Sequence, residues 1–359
     1  MKKTTIALIA ALVLTGCATQ PTQPAQTAAE TTVQTEAETT TAETTEAVTE
    51  AAPETTTEAE TVEETEAAPE EPEEEDEENY DTGDASLDNI RNEDGIGETE
   101  LLVLSFGTSF NDSRRLTIGA IENALDENFP DWSVRRGFTA NIIIDHVQRR
   151  DGILIDDIDA ALKRAVDNGV KTLVIQPTHL MHGIEYDEIV SKVGSYADAF
   201  DKVVFAEPLL TSDDDFKRVE TAIVDWTKEY DDGNTAIVFM GHGTEHESNA
   251  VYQKMQDLLA SDGYNNYFIG TVEAEPSLDD VIAKVKEGGY TKVILEPLMV
   301  VAGDHANNDM ASDEDDSWKT AFTNEGFEVE CILRGLGENE SIRQIYVDHT
   351  KAAIDSISE

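Results

Sequence analysis

The chain has 359 residues, 76 of them acidic and 25 basic, with a formal charge of −51 at neutral pH. Such an excess of carboxylates, with no cluster of Lys and Arg, argues against nucleic acid as a partner. Two cysteines, Cys17 and Cys331, leave no pair for a disulfide inside a mature domain and no thiolate set for zinc or iron–sulfur.

At the N-terminus, Lys2-Lys3 precede an apolar run from Ile6 to Leu14. That layout is an export signal, too short to span a bilayer as a helix. It ends in Leu14-Thr15-Gly16-Cys17, which resembles a lipoprotein signal. The resemblance implies removal of residues 1–16 and acylation of Cys17. The protein is then expected outside the cytoplasm, lipid-anchored to the cell membrane. Residues 17–97 are Thr, Glu, Ala and Pro without an apolar period. Residues 18–98 hold 26 Asp and Glu against Arg91 alone, a charge of about −25. A segment of this kind buries too little surface to offset its ordering entropy, so it reads as a disordered acidic stalk.

From residue 98 onward the chain carries about −28, but it also has the aliphatic runs that build a core. Strand-like and helix-like segments alternate, which predicts an α/β fold with parallel, doubly wound sheets. The predicted strands of the first half are 101–106, 133–138, 171–177 and 202–208. Helices are predicted over 111–127 and 213–230. A turn-rich break at Asp231-Asp232-Gly233-Asn234 follows, and the order restarts with strands at 235–243, 266–274, 291–297 and 327–335. A last helix is predicted over 341–357. Two pseudo-twofold lobes are therefore expected, 98–232 and 233–359, with a cleft between them. Ligands of such sheets sit beyond the carboxyl ends of the strands.

Overlaying the halves places Phe106-Gly107-Thr108-Ser109-Phe110 on His242-Gly243-Thr244-Glu245-His246. It also places Pro177-Thr178-His179 on Pro297-Leu298-Met299. Each lobe then contributes one strand-end histidine, His179 and His242. Neutral imidazole ligates divalent transition metals, and it accepts protons near neutral pH. Glu207 and Glu273 also fall at strand ends, as candidates for a third ligand or a proton acceptor. His182 and His246 flank the pair and are candidates for orienting it. His305 lies in a loop that turns from apolar to polar, and His349, on the last helix, reads as structural. Cys331, in a predicted strand, reads as a small buried hydrophobe. By spacing alone the chain is a metal-binding α/β domain.

The phrases FGTSF, QPTHLMHGIEY, FMGHGTEH, GTVEAEP, EPLMVVAGDHANNDM, DSWK and GLGEN resemble those of the anaerobic-type sirohydrochlorin cobaltochelatases, which are class II chelatases. The likeness covers 99–359 in order. It implies a two-lobed fold related in shape to ferrochelatase. It also implies insertion of Co2+, with Fe2+ or Ni2+ as alternatives, into a tetrapyrrole of cobalamin biosynthesis without nucleotide. Carried over by motif, His179 and His242 are the metal-handling, catalytic histidines. Glu207 is the best match for an acidic third ligand, and His305 matches the Gly-Asp-His phrase that lines the cleft, while Glu273 stays a strand-end candidate for the cleft. Arg114, Arg115, Arg135, Arg136 and Arg334 are candidates to receive the ring's carboxylates. The partners expected are the tetrapyrrole and, through Cys17, the membrane; a homo-oligomer is allowed for. The leader keeps an alternative open, an extracytoplasmic lipoprotein that binds metal, haem or another tetrapyrrole without turnover.

Overall fold

Aliphatic runs with side chains buried on both faces are what a parallel sheet between two helix layers demands. In the computed structural model, which describes residues 82–357, these runs form two four-stranded sheets. The first contains β1 (Thr99–Ser105), β2 (Ser133–Phe138), β3 (Thr172–Pro177) and β4 (Lys202–Phe205), in the order β2-β1-β3-β4. The second contains β5 (Thr235–Gly241), β6 (Tyr267–Thr271), β7 (Lys292–Pro297) and β8 (Glu328–Cys331), in the order β6-β5-β7-β8. Every pairing is parallel. The two predicted sets of strands are thus the observed ones, with ends trimmed by a few residues. Cys331 ends β8 half-buried, with its thiol pushed up to about 11 by burial, so it is mostly protonated at neutral pH.

Alternate residues along each central strand face different layers. Leu102 and Leu104 of β1 join α4 (Ile158–Asp167) and α5 (Ile184–Tyr196) in one core. Leu101 and Val103 face the other way, into a core that also contains Ile237 and Phe239 of β5. That second core is built on α2 (Ile118–Asn128), α6 (Asp213–Thr227), α7 (Ala250–Ser261) and α10 (Glu340–Ser356). The remaining face of the second sheet is covered by α8 (Leu278–Gly288) and α9 (Trp318–Asn324). The two sheets therefore share one central helix layer. The final helix α10 belongs to the second half in sequence but packs on α2, α6 and β3 of the first.

The predicted helix over 111–127 is broken in two. Between α1 (Asn111–Leu116) and α2, Thr117 leaves helical geometry with φ −110° and ψ −81°. Its backbone is met by Gly337, where a Cβ would stand 2.9 Å from Thr117 Cα. Packing against the other half thus interrupts a helix that local pattern alone would continue.

The expected stalk boundary at residue 97 is corrected. Residues 82–97 form a strap on the first lobe. Asp88 bonds Arg114 Nε at 2.7 Å and Arg136 Nη1 at 2.7 Å, and Arg136 also bonds Glu122 at 2.7 Å. Arg135 donates to the carbonyls of Arg91 and Glu93. The side chains of Asp88, Arg114, Arg136 and Glu122 are all almost wholly buried. Composition hid the strap, because its carboxylates answer arginines of the lobe rather than solvent. The leader, Cys17 and the stalk as far as residue 81 lie outside the described residues.

Asp88→Ala leaves two buried guanidinium groups with one carboxylate between them. It is expected to cost about 3–5 kcal/mol of stability, read by chemical denaturation of the full chain. A loss below about 1 kcal/mol, the value of an exposed pair, would show that the strap is dispensable.

Candidate metal centre at the strand ends

In both sheets the order of strand addition reverses between the two inner strands, β1 and β3 in one and β5 and β7 in the other. Those switch points open a crevice at the carboxyl ends, and His179 and His242 lie there. His242 follows β5 directly. Its carbonyl accepts the N–H of Glu273 at 2.8 Å, so the loop after β6 is pinned beside it. Gly243 has φ +88°, and a Cβ there would stand 2.8 Å from the Ala274 backbone nitrogen. Only glycine fits that left-handed, crowded turn, which fixes the His-Gly phrase.

His305 arrives from the loop after β7, where a single π-helical turn, Ala306–Met310, begins. The His242 and His305 rings meet edge to face, with centroids 4.6 Å apart and planes at 85°. Glu273 Oε2 lies 3.6 Å from His242 Nδ1. One ligand atom from each of His242, Glu273 and His305 falls within 4.8 Å of the others. The contacts also fix the tautomers. His242 Nδ1 bonds the Gly243 carbonyl at 2.8 Å, and His305 Nδ1 bonds Asp309 Oδ2 at 2.7 Å. Both partners can only accept, so in the neutral rings Nδ1 carries the proton and Nε2 has the lone pair. Asp309 raises the pKa of His305 above its ordinary value, chiefly through that hydrogen bond and against the effect of burial. The set of two imidazoles and a carboxylate suits a divalent transition metal.

His179 follows β3 in the first lobe. Neither of its ring nitrogens has a hydrogen-bond partner among the described residues, although both are covered. Burial depresses its pKa to about 4, against a weak opposing pull from Glu185, so the ring is neutral at physiological pH. Its carbonyl accepts from Leu209 N–H and from the Tyr346 hydroxyl of α10. The Glu185 carboxylate also acts on Tyr252, whose hydroxyl accepts the N–H of Gly243. The three-residue group does not include His179.

Glu207 is not brought to that group either. Its carboxylate bonds His182 Nε2 at 2.7 Å. His182 lines an open cavity of about 350 Å3 with Met181, Leu210, His246, Ser248 and Val251, so both lobes contribute to its wall. His246 caps the short helix after Gly243, accepting from Ser248 N–H. His349 is structural, bonded to Asp215 and to the Glu207 carbonyl.

Arg114 needs correction as a cleft residue. Its side chain is fully buried under the 107–111 loop, bonded to Asp88, to Asn111 Oδ1 at 2.5 Å and to the Thr108 carbonyl at 3.1 Å. It braces the loop and cannot reach a ligand. Arg135 and Arg136 are likewise buried and bonded inside the lobe, and Arg334 is held by Glu296 and the Trp226 ring. Asp309 is the functional residue that the strand-end reading passes over. Its i, i+4 spacing from His305 was the available signal.

A doubly wound, two-lobed α/β protein with an imidazole–carboxylate group at its strand ends has the donor set of a metal-handling protein. The model of the cobalt chelatase (CbiK) family matches residues 99–355, and this chain belongs to that family. It is 38% identical over 259 residues to the sirohydrochlorin cobaltochelatase of Salmonella typhimurium, covering 72% of this chain and 97% of the relative. It is 28% identical to the sirohydrochlorin cobaltochelatase CbiKC of Nitratidesulfovibrio vulgaris, covering 76% of this chain and 98% of that protein. Among solved structures it is similar in fold to SirB from Bacillus subtilis with Fe3+, with TM-score 0.53, 12% identity, 73% of this chain and 98% of that chain.

The neutral, unpartnered His179 ring gives a pH test. A folded-state pKa near 4 against about 6.5 unfolded means that the unfolded chain binds the extra proton between those values. The stability this residue permits is complete above pH 6.5 and falls as pH drops, by up to about 1.4 kcal/mol per unit. His179→Phe is expected to fold at pH 7.5 and to lack this component, so its stability should fall less steeply than wild type between pH 6.5 and 4.5. Parallel profiles would show that the His179 ring is solvated.

Proposed function

We propose that this protein inserts Co2+ into sirohydrochlorin without nucleotide, as an enzyme of the metal-chelatase class, with His242, His305 and Glu273 holding the cation before transfer. The grouping of these three residues, with a candidate ligand atom of each within 4.8 Å of the others, carries the reading. Insertion releases two pyrrole N–H protons as Co2+ enters the ring. The group that gives up the metal regains basic sites at the same moment, so two protons can replace two positive charges. His305, with Asp309 behind it, is the better-placed first acceptor. The half-exposed Glu273 carboxylate is a route for the second proton to solvent. His179 offers a further neutral imidazole from the opposite lobe, as the motif match implies. Glu207, through His182, faces the cavity where a cation would arrive. Fe2+ and Ni2+ suit the same donors.

The location belongs to the same proposal. Acylation of Cys17 would hold the domain outside the cytoplasm on the acidic stalk. The leader motif supports this, and Cys17→Ala is expected to move the protein from the membrane to the soluble fraction. Unchanged fractionation with no acyl label on the wild-type protein would rule the anchor out. The same leader favours a second reading, capture of a metal or tetrapyrrole without turnover.

A chelation assay on the full chain separates the two. Wild-type protein should consume sirohydrochlorin and Co2+ faster than the uncatalysed background. His242→Ala and His305→Ala should each lower kcat/KM at least about 100-fold, and Asp309→Asn about 10–100-fold, with the fold retained. Stoichiometric binding without acceleration would replace the chelatase by the capture protein.

A further inference from the structure

From Leu101 to Phe110 every residue is buried except Phe106, whose side chain is 47% exposed. An aromatic ring set in solvent within such a run is unusual only if the backbone could have turned it inward, since isolated surface hydrophobes are common. Here the second lobe supplies the comparison. Strands β1 and β5 are both seven residues long, and Phe106 and His242 are the first residues after them. The Phe106 carbonyl accepts from Ala140 N–H as the His242 carbonyl accepts from Glu273 N–H. Each is followed by a glycine at positive φ, +107° at Gly107 and +88° at Gly243. In the run 235–243, His242 is likewise the single residue that is not buried. The two positions are structural equivalents, and both put their side chains out at the strand ends.

The two loops also meet. A Cβ at Gly303 would stand 2.9 Å from Thr108 Oγ1, and Ala302 N–H bonds Ser113 Oγ at 3.0 Å. Thr108 is two residues from Phe106, and Gly303 is two residues from His305, whose ring touches His242. The loop that carries Phe106 therefore packs against the loop that carries His305, and Phe106 itself is about half exposed. Ile142, 64% exposed, is the second residue of α3 (Asn141–Asp151), which follows Ala140, the residue that bonds the Phe106 carbonyl.

We infer that Phe106 is the platform on which one face of the tetrapyrrole rests, setting the ring plane over the metal held by His242, Glu273 and His305. This rests on the chelatase reading and adds the residue that recognises the ring. The chemistry favours it. The domain carries about −28, and Arg114, Arg135 and Arg136 are buried and bonded internally, so long-range attraction between charges does not favour a ring bearing many carboxylates. The flat apolar face of the ring is then a source of affinity, and an exposed aromatic at the strand end suits it. The carboxylates then stay at the periphery, in water.

The test measures binding of metal-free sirohydrochlorin and of Co2+ separately, on full-length wild type, Phe106→Ala, Phe106→Trp and Val166→Ala. Val166 is exposed on α4, before β3 and at the opposite end of the sheet. Phe106→Ala should weaken ring binding about three- to tenfold and raise KM for the ring, while Co2+ affinity stays at the wild-type value. Phe106→Trp should restore ring binding, and Val166→Ala should match wild type in both. Unchanged ring affinity in Phe106→Ala would overturn the inference. So would an equal loss of Co2+ affinity, which would make Phe106 a prop of the metal group. If wild type binds Co2+ but no sirohydrochlorin, the chelatase reading itself fails, and the platform with it.

Discussion

The structure depends on one constraint: two parallel sheets bury a face each against the same layer of helices. Leu101 and Val103 of one sheet and Ile237 and Phe239 of the other belong to a single apolar core with α2, α6, α7 and α10. Neither lobe is complete without that layer, and α10 crosses from the second half to close the first. Because the sheets are held as a pair, their strand ends face a common cleft. The loops that carry chemistry are then short and anchored on both sides, by Glu273 N–H on the His242 carbonyl and by Gly303 against Thr108. Short, anchored loops hold imidazoles in the orientation a metal needs.

The charge distribution divides the work. The domain is strongly acidic, which concentrates cations and disfavours anions. Four of its first-lobe arginines do not offset this at the surface. Arg91, Arg114, Arg135 and Arg136 are turned inward and bonded to carboxylates or carbonyls of the lobe and strap. One of them, Arg114, holds the Thr108 carbonyl from below. The strap before residue 98 thus reaches the edge of the cleft through Asp88 and Arg114, and it is part of the working domain.

Much of this was legible in the sequence. The eight strands followed from aliphatic runs ended by Gly or Pro, and the repeat followed from their order. His242 was visible as the histidine replacing Phe106 in an echoed phrase. What was not legible depended on long-range contact. Arg114 and Arg136 look like surface basic residues until Asp88, 26 and 48 positions away, is seen to neutralise both. The strap hid inside an acidic composition that suits a disordered segment. Glu273 and His305 were candidates by position, but their grouping with His242 was hidden, since they come from the ends of different strands. Glu207 matched a family motif by position, yet its side chain turns to His182. Sequence spacing locates a strand end, but the direction of the side chain is set by the neighbouring loop.

The central claim is that the cation rests on the second lobe's group. Anomalous diffraction at the cobalt edge, from crystals of the full chain soaked in Co2+ alone, tests this most directly. A single peak about 2.1 Å from the Nε2 atoms of both His242 and His305, with Glu273 alongside, is the expected result. A peak on His179 and Glu207, with His305 still bonded to Asp309 and empty, would contradict it.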